Sequence, residues 1–169
     1  MATYRFSILQ NVFPDSSGRC FAEPYNIKAT NDLFRHLVFI FNDPADGEAH
    51  GFYGVFNVPT NYVSTPKIIP VWTSTATSGN CKFDFDYRAI GGDDAESLDQ
   101  ATFQENLTLT DAAPTSAHQR NTPSMSITDA NLAPNDTAVF YFTREDGGGT
   151  DTLAATAILH DLIFEFADT

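Results

Sequence analysis

Four histidines, His36, His50, His118 and His160, are the side chains best suited to hold a metal or move a proton near neutral pH. Each stands alone in the sequence. A metal centre built across β-strands, of the cupin kind, needs two or three histidines converging with a carboxylate. Such centres usually keep a His-x-His or His-x-Asp/Glu pair on one strand, and neither spacing occurs. His160 and Asp161 are adjacent, so on a regular strand they would point to opposite faces. His36 and His160 are therefore expected as hydrogen-bonded structural residues within strands, and His50 and His118 as loop residues. Asp93, Asp94, Glu96 and Asp99 crowd one loop, while Asp146 and Asp151 bracket Gly147-Gly148-Gly149. Ca2+ takes six to eight oxygens, but this spacing is not that of an EF-hand, and solvated acidic loops are expected. The chain has no Gly-x-Ser-x-Gly elbow, no phosphate-cradling glycine loop and no His-Glu-x-x-His. No catalytic residue, metal or cofactor, and hence no enzyme, is expected.

One further chemistry is open to this composition. Exposed aromatic rings stack on sugars, and Tyr53, Tyr62, Trp72 and Tyr141 are the candidates. Their competing role is ordinary core packing, because aromatics at strand spacing usually face inward. Cys20 and Cys81 allow at most one bridge, so this is not a disulfide scaffold.

The 169 residues carry 9 basic and 22 acidic side chains, a net charge of -13. Phosphate neutralisation needs clustered Lys and Arg, so nucleic acid is excluded as a partner, and an anionic lipid surface is disfavoured too. Leu37-Val38-Phe39-Ile40-Phe41 is far shorter than the roughly 20 residues of a membrane span. No basic region followed by an apolar stretch opens the chain, so no signal peptide is expected. An apolar share of 42% with 15 Phe is that of a packed domain.

The elements that must position these residues have a period of two. Cys81, Phe83, Phe85, Tyr87 and Ala89 alternate with Lys82, Asp84, Asp86 and Arg88, which gives one dry and one wet strand face. Further strands are expected over 32–41, 52–58, 67–73, 103–110, 123–128, 137–144 and 157–166. In the last, Ile158, His160, Leu162, Phe164 and Phe166 are expected on one side. Pro70 points to an edge or bulge position. Turn residues separate the runs, as at Ser78-Gly79-Asn80 and Ala133-Pro134-Asn135-Asp136. One turn of helix is conceivable over 151–157. The expected fold is all-β: an eight-stranded, jelly-roll-like antiparallel β-sandwich over residues 32–169, with an N-terminal extended segment or arm over 1–31. That segment either lies on its own sandwich or adds a strand to a neighbouring subunit.

Several stretches together resemble jelly-roll virion proteins of tailed bacteriophages, of the capsid decoration or cement type. They are Phe56-Asn57-Val58-Pro59-Thr60-Asn61-Tyr62-Val63-Ser64, Val71-Trp72-Thr73-Ser74, Glu96-Ser97-Leu98-Asp99 and the run from Asp129 to Asp136, with the final strand closing on Phe164-Glu165-Phe166. The resemblance covers roughly residues 52–166 and implies a non-enzymatic structural protein. It further implies a homotrimer on the outer surface of the capsid, made in the host cytoplasm and bound to the major capsid protein or another virion protein. Tyr4, Phe6, Ile8 and Phe13 are the candidate anchors for subunit or capsid contact. The alternative is a carbohydrate-binding β-sandwich domain of a tail fibre or adhesin.

Overall fold

The computed structural model describes residues 2–25, 35–44, 49–91, 97, 99–145 and 149–168. All regular structure in them is β apart from two short 3-10 turns. The strands are β1 (Thr3–Ser7), β2 (Val12–Pro14), β3 (Cys20–Pro24), β4 (Leu37–Phe41), β5 (Ala49–Asn57), β6 (Ser64–Thr73), β7 (Asn80–Ile90), β8 (Glu105–Ala112), β9 (Met125–Ser126), β10 (Thr137–Glu145) and β11 (Ala157–Ala167). They form two antiparallel sheets. One is six-stranded, in the order β3-β4-β11-β6-β9 with β1 also on β11; the other is five-stranded, in the order β2-β5-β10-β7-β8. β4 takes the first residues of β11 and β1 the last, so the two share that strand end to end.

Alternation builds the core. Phe52 and Phe56 of β5, Phe83, Phe85 and Tyr87 of β7, and Phe140 and Phe142 of β10 point inward from the five-stranded sheet. They meet Phe41, Trp72, Leu159, Leu162 and Phe164 from the other sheet. The aromatic supply thus fills the layer between two stacked sheets. All eight expected strands are present, although residues 32–34 of the first lie outside the described residues. Pro70 sits on β6 between Ile68, paired with Met125 of β9, and Trp72, bridged to Asn121. Its missing N–H falls on that interrupted edge, where no ladder bond is lost.

The N-terminal segment lies on its own sandwich. β1 pairs with β11, β2 with β5 and β3 with β4. Ile8 is 2% exposed and sits in the core. Phe6 packs edge-on against Phe56 and Phe164, and Tyr4 stacks on Phe166. These three anchors are used within the chain; Phe13 stays 62% exposed although its ring stacks on Tyr53.

Two expectations are corrected. The stretch 151–157 is not helical, because the buried Arg144 guanidinium takes the carbonyls of Leu153 (2.5 Å) and Ala155 (2.6 Å). Arg144 also forks onto Asp151 through two 2.8 Å hydrogen bonds, which makes Asp151 a structural counter-ion. The regular alternation of β11 fails as well. A register shift between Leu159 and Asp161 inserts His160 as an extra residue. Ala157 and Leu159 face the core before it and Leu162 and Phe164 after it, while Ile158 packs outside with Val38 and Ile40. A bulge reverses the in–out parity, so His160 and Asp161 leave the core face together.

Candidate functional site

The outer face of the five-stranded sheet carries a row of aromatic rings fixed by register. Phe13 of β2 pairs with Tyr53 of β5, Tyr53 with Tyr141 of β10, and Tyr141 with Asp86 of β7. Asp86 in turn faces Asn106 of β8. Alternation places all five side chains on the wet side, because Phe52, Phe140, Phe142, Phe85 and Leu107 take the dry one. Ring centroids are 5.6 Å apart for Phe13–Tyr53 and 4.3 Å for Tyr53–Tyr141, with interplanar angles of 28° and 17°. Rings that close and that parallel stand face to face across the strands. The exposed rings of the stack are then those of Phe13 at the sheet edge and Tyr53 beside it, with Tyr141 half-buried behind them. Phe13 and Tyr53 are 62% and 40% exposed, unusual for large apolar side chains in one contiguous row.

Local chemistry locks the row. The Asp15 carboxylate accepts hydrogen bonds from the Tyr141 hydroxyl (2.8 Å), the Gly51 N–H (2.7 Å) and the Ser17 N–H (2.9 Å). Partial burial pushes the Asp15 carboxyl up, but these donors outweigh it and hold it below the usual carboxylate range. Burial and the bond to Asp15 raise the Tyr141 phenol, which stays neutral. A Cβ at position 51 would lie 2.8 Å from Tyr141 Cε2 and 2.5 Å from the Phe142 carbonyl. Glycine is what lets the Tyr141 ring lie over β5.

The neighbouring rows are polar. On one side, Lys82 is paired with Glu145 and, at 3.4 Å, with Asp84. Burial and the hydrogen bond to Glu145 push Asp84 up to about 6; the same bond, aided by Lys82, lowers Glu145. Lys82 and its two carboxylates frame the face electrostatically. On the other side, Arg88, Gln100, Thr102, Phe103 and Val139 line a depression of about 130 Å³.

Of the four aromatic candidates, Tyr53 and Tyr141 come together. Tyr62 and Trp72 are buried: the Trp72 indole donates to Asp111 (2.8 Å), and Tyr62 packs on Phe164 and Phe166. Phe13 joins the row from a segment that gives no sequence signal for it. Cys20 and Cys81 are both free and buried. Asp93, Asp94, Glu96 and Asp146 lie outside the described residues.

Three of the four histidines meet on the opposite sheet. His36 Nε2 lies 2.7 Å from His160 Nδ1, and the Tyr25 hydroxyl lies 3.0 Å from His118 Nδ1. The Tyr25 ring packs 4.5 Å from that of His160. Burial, with the charges of His36 and His118, lowers His160 to about 4. His50, expected in a loop, is a buried residue of β5, its Nδ1 3.2 Å from the Asn42 carbonyl oxygen, and His36, expected within a strand, stands just before β4. Among the described residues no three His, Cys, Asp or Glu side chains converge to hold a metal ion.

No family model and no curated protein matches this sequence. Solved structures do resemble it in fold. The CBM22-1 xylan-binding domain of Xyn10C from Paenibacillus barcinonensis superposes at a TM-score of 0.52 and 10% identity, covering 98% of this chain and 94% of that one. The family 11 carbohydrate-binding module of the cellulase Lic26A-Cel5E from Clostridium thermocellum gives 0.51 and 10%, with 98% and 95% covered. An arabinose-bound α-L-arabinofuranosidase, MgGH51, gives 0.53 and 11%; 94% of this chain is covered, but the chain spans only 23% of that protein. At these identities the likeness shows the fold, a jelly-roll β-sandwich.

Proposed function

We propose that the protein is a non-catalytic carbohydrate-binding module that takes a saccharide on the outer face of its five-stranded sheet. One observation carries the reading: the exposed Phe13 and Tyr53 and the half-buried Tyr141 form an aromatic row in register with Asp86 and Asn106. A pyranose presents an apolar patch of weakly positive C–H bonds on one face and hydroxyls around its rim. The negative π-face of an aromatic ring attracts the former. Carboxylate and amide groups on neighbouring strands accept from and donate to the latter. A saccharide lying along the row therefore meets the exposed rings of Phe13 and Tyr53 on β2 and β5 and the polar groups of Asp86 and Asn106 on β7 and β8, on elements whose register fixes the geometry.

The same fold serves the xylan-binding and family 11 carbohydrate-binding modules, which lends this reading support that the capsid-decoration expectation lacks. The N-terminal anchors proposed for capsid contact are also largely engaged within the chain: Ile8 is in the core, and Phe6 and Tyr4 pack on β11. The test is a screen on immobilised oligosaccharides with the wild type and Tyr53→Ala. Retention of at least one glycan by the wild type, weakened about tenfold or more in the variant, supports the reading. Absence of any retained glycan refutes it.

A further inference from the structure

Among the described residues Arg88 is a cation without a counter-ion. It projects from β7 on the same outer face as Asp86, one row beyond Tyr141, and pairs in register with Val139. Its Nε is buried with no hydrogen-bond partner among the described residues, and Nη1 makes one long contact, 3.4 Å to the Thr102 carbonyl. Among the described residues it enters no ion pair, although the chain carries 22 acidic side chains against 9 basic ones. Lys82, three strand rows away, is saturated by Asp84 and Glu145. A guanidinium has five donors in a planar fork, and a buried donor left unpaired needs an explanation.

The surroundings supply one. Arg88 lines the depression of about 130 Å³ together with Gln100, Thr102, Phe103 and Val139. Phe103 is 51% exposed, so the depression pairs an unsatisfied cation with an uncovered aromatic ring. A group that fits must offer a planar, bidentate acceptor to the guanidinium and an apolar face to Phe103. A sugar carboxylate attached to a pyranose ring offers both. We infer that Arg88 and Phe103 form a subsite for a carboxylate-bearing sugar, a hexuronate, adjoining the aromatic row.

This inference rests on the carbohydrate-binding reading and narrows it. The net charge of -13 narrows it further. A polyuronate would be repelled along its length, whereas one isolated uronate needs only Arg88. The ligand is thus a neutral glycan with sparse acidic residues or an acidic terminus.

The experiment uses D-glucuronate and D-galacturonate against D-glucose and D-galactose as soluble probes. Binding is followed through the Nε–H resonance of Arg88 in a 15N-labelled sample, and the shift is assigned with Arg88→Gln. In parallel, a neutral oligosaccharide retained by the wild type is compared with its singly uronate-substituted form and the carboxyl-reduced form of the latter. A hydrogen bond to charge changes affinity by about tenfold or more. The expected result is an Arg88 Nε–H shift with the uronates only, and about tenfold tighter binding of the uronate-substituted chain. Arg88→Gln should bind all three chains equally at the neutral level, and Arg88→Lys, which keeps the charge but loses the fork, should fall between. Equal wild-type affinity for acidic and reduced chains, with binding still dependent on Tyr53, overturns the subsite and leaves the module intact. Binding of none overturns both.

Discussion

Asp151 is the side chain whose removal the fold should feel most. The Arg144 guanidinium it faces is fully buried, and the Asp151 side chain is 2% exposed. Two 2.8 Å hydrogen bonds join them as a fork. Asp151 also accepts from the backbone N–H of Lys82 (3.0 Å) and Leu153 (3.1 Å). Asp151→Ala strips the guanidinium of its buried partner, leaving Asp43 at 3.6 Å, half exposed, as the nearest carboxylate. Breaking a buried pair from one side costs about 3–5 kcal/mol, because the remaining charge stays desolvated. For a domain of this size that corresponds to a fall of about 6–20 °C in Tm, a large share of a total stability of about 5–15 kcal/mol. Urea unfolding at pH 7 reads it directly, since Trp72 is buried and its emission reports exposure. Arg144→Leu combined with Asp151→Leu should recover much of the loss, because neither charge is then stranded. A cost below 1 kcal/mol for Asp151→Ala, with an unchanged slope in urea, would refute this account of the loop.

Three other outcomes follow from the titrating groups and the assembly question. His160 is held near 4 in the fold against about 6.5 unfolded, so the unfolded chain binds the extra proton in that window. Stability should fall as pH drops from 6.5 to 4, by about 2 kcal/mol after discounting for partial exposure, and His160→Gln should lose this slope in urea melts. Asp84 is shifted the other way, to about 6, so its contribution weakens as pH rises from about 4 past 6. Asp84→Asn should therefore gain about 2 kcal/mol on the wild type between pH 4 and pH 8; equal differences at both would sink this argument. Light scattering after size exclusion addresses the decoration-protein proposal. A stable monomer counts against it, and a homotrimer restores it as a rival to the carbohydrate-binding module.

Strand positions were legible because burial on one face writes a period of two into each segment. The run from Cys81 to Ala89 is the plainest case: Cys81, Phe83, Phe85 and Tyr87 of β7 are all buried, although Asp84 on the other face is buried too. What periodicity cannot see is a change of parity. His160 sits where β11 passes from β4 to β1, and an inserted residue there turned Ile158 outward, against the sequence expectation. Nor does periodicity see pairing at long range. Phe13 and Tyr141 are 128 positions apart, and only the order β2-β5-β10 makes them members of one row. Tyr53 and Tyr141 were open to reading as sugar-stacking residues, while Tyr62 and Trp72 looked the same by type and proved to be core. The burial of Arg144 had no local signal, because its partners are the carboxylate and carbonyls of a loop that follows it.

Isothermal titration of a glycan retained in the oligosaccharide screen, into the wild type, Phe13→Ala and Tyr53→Ala at matched stability, tests the central claim most directly. The account predicts saturable binding by the wild type that weakens about tenfold or more in each variant, a loss on the scale of the ~1–3 kcal/mol that a planar ring stacked on an aromatic side chain contributes in nucleobase recognition. Undiminished binding in both variants would contradict it by moving the saccharide off the aromatic row.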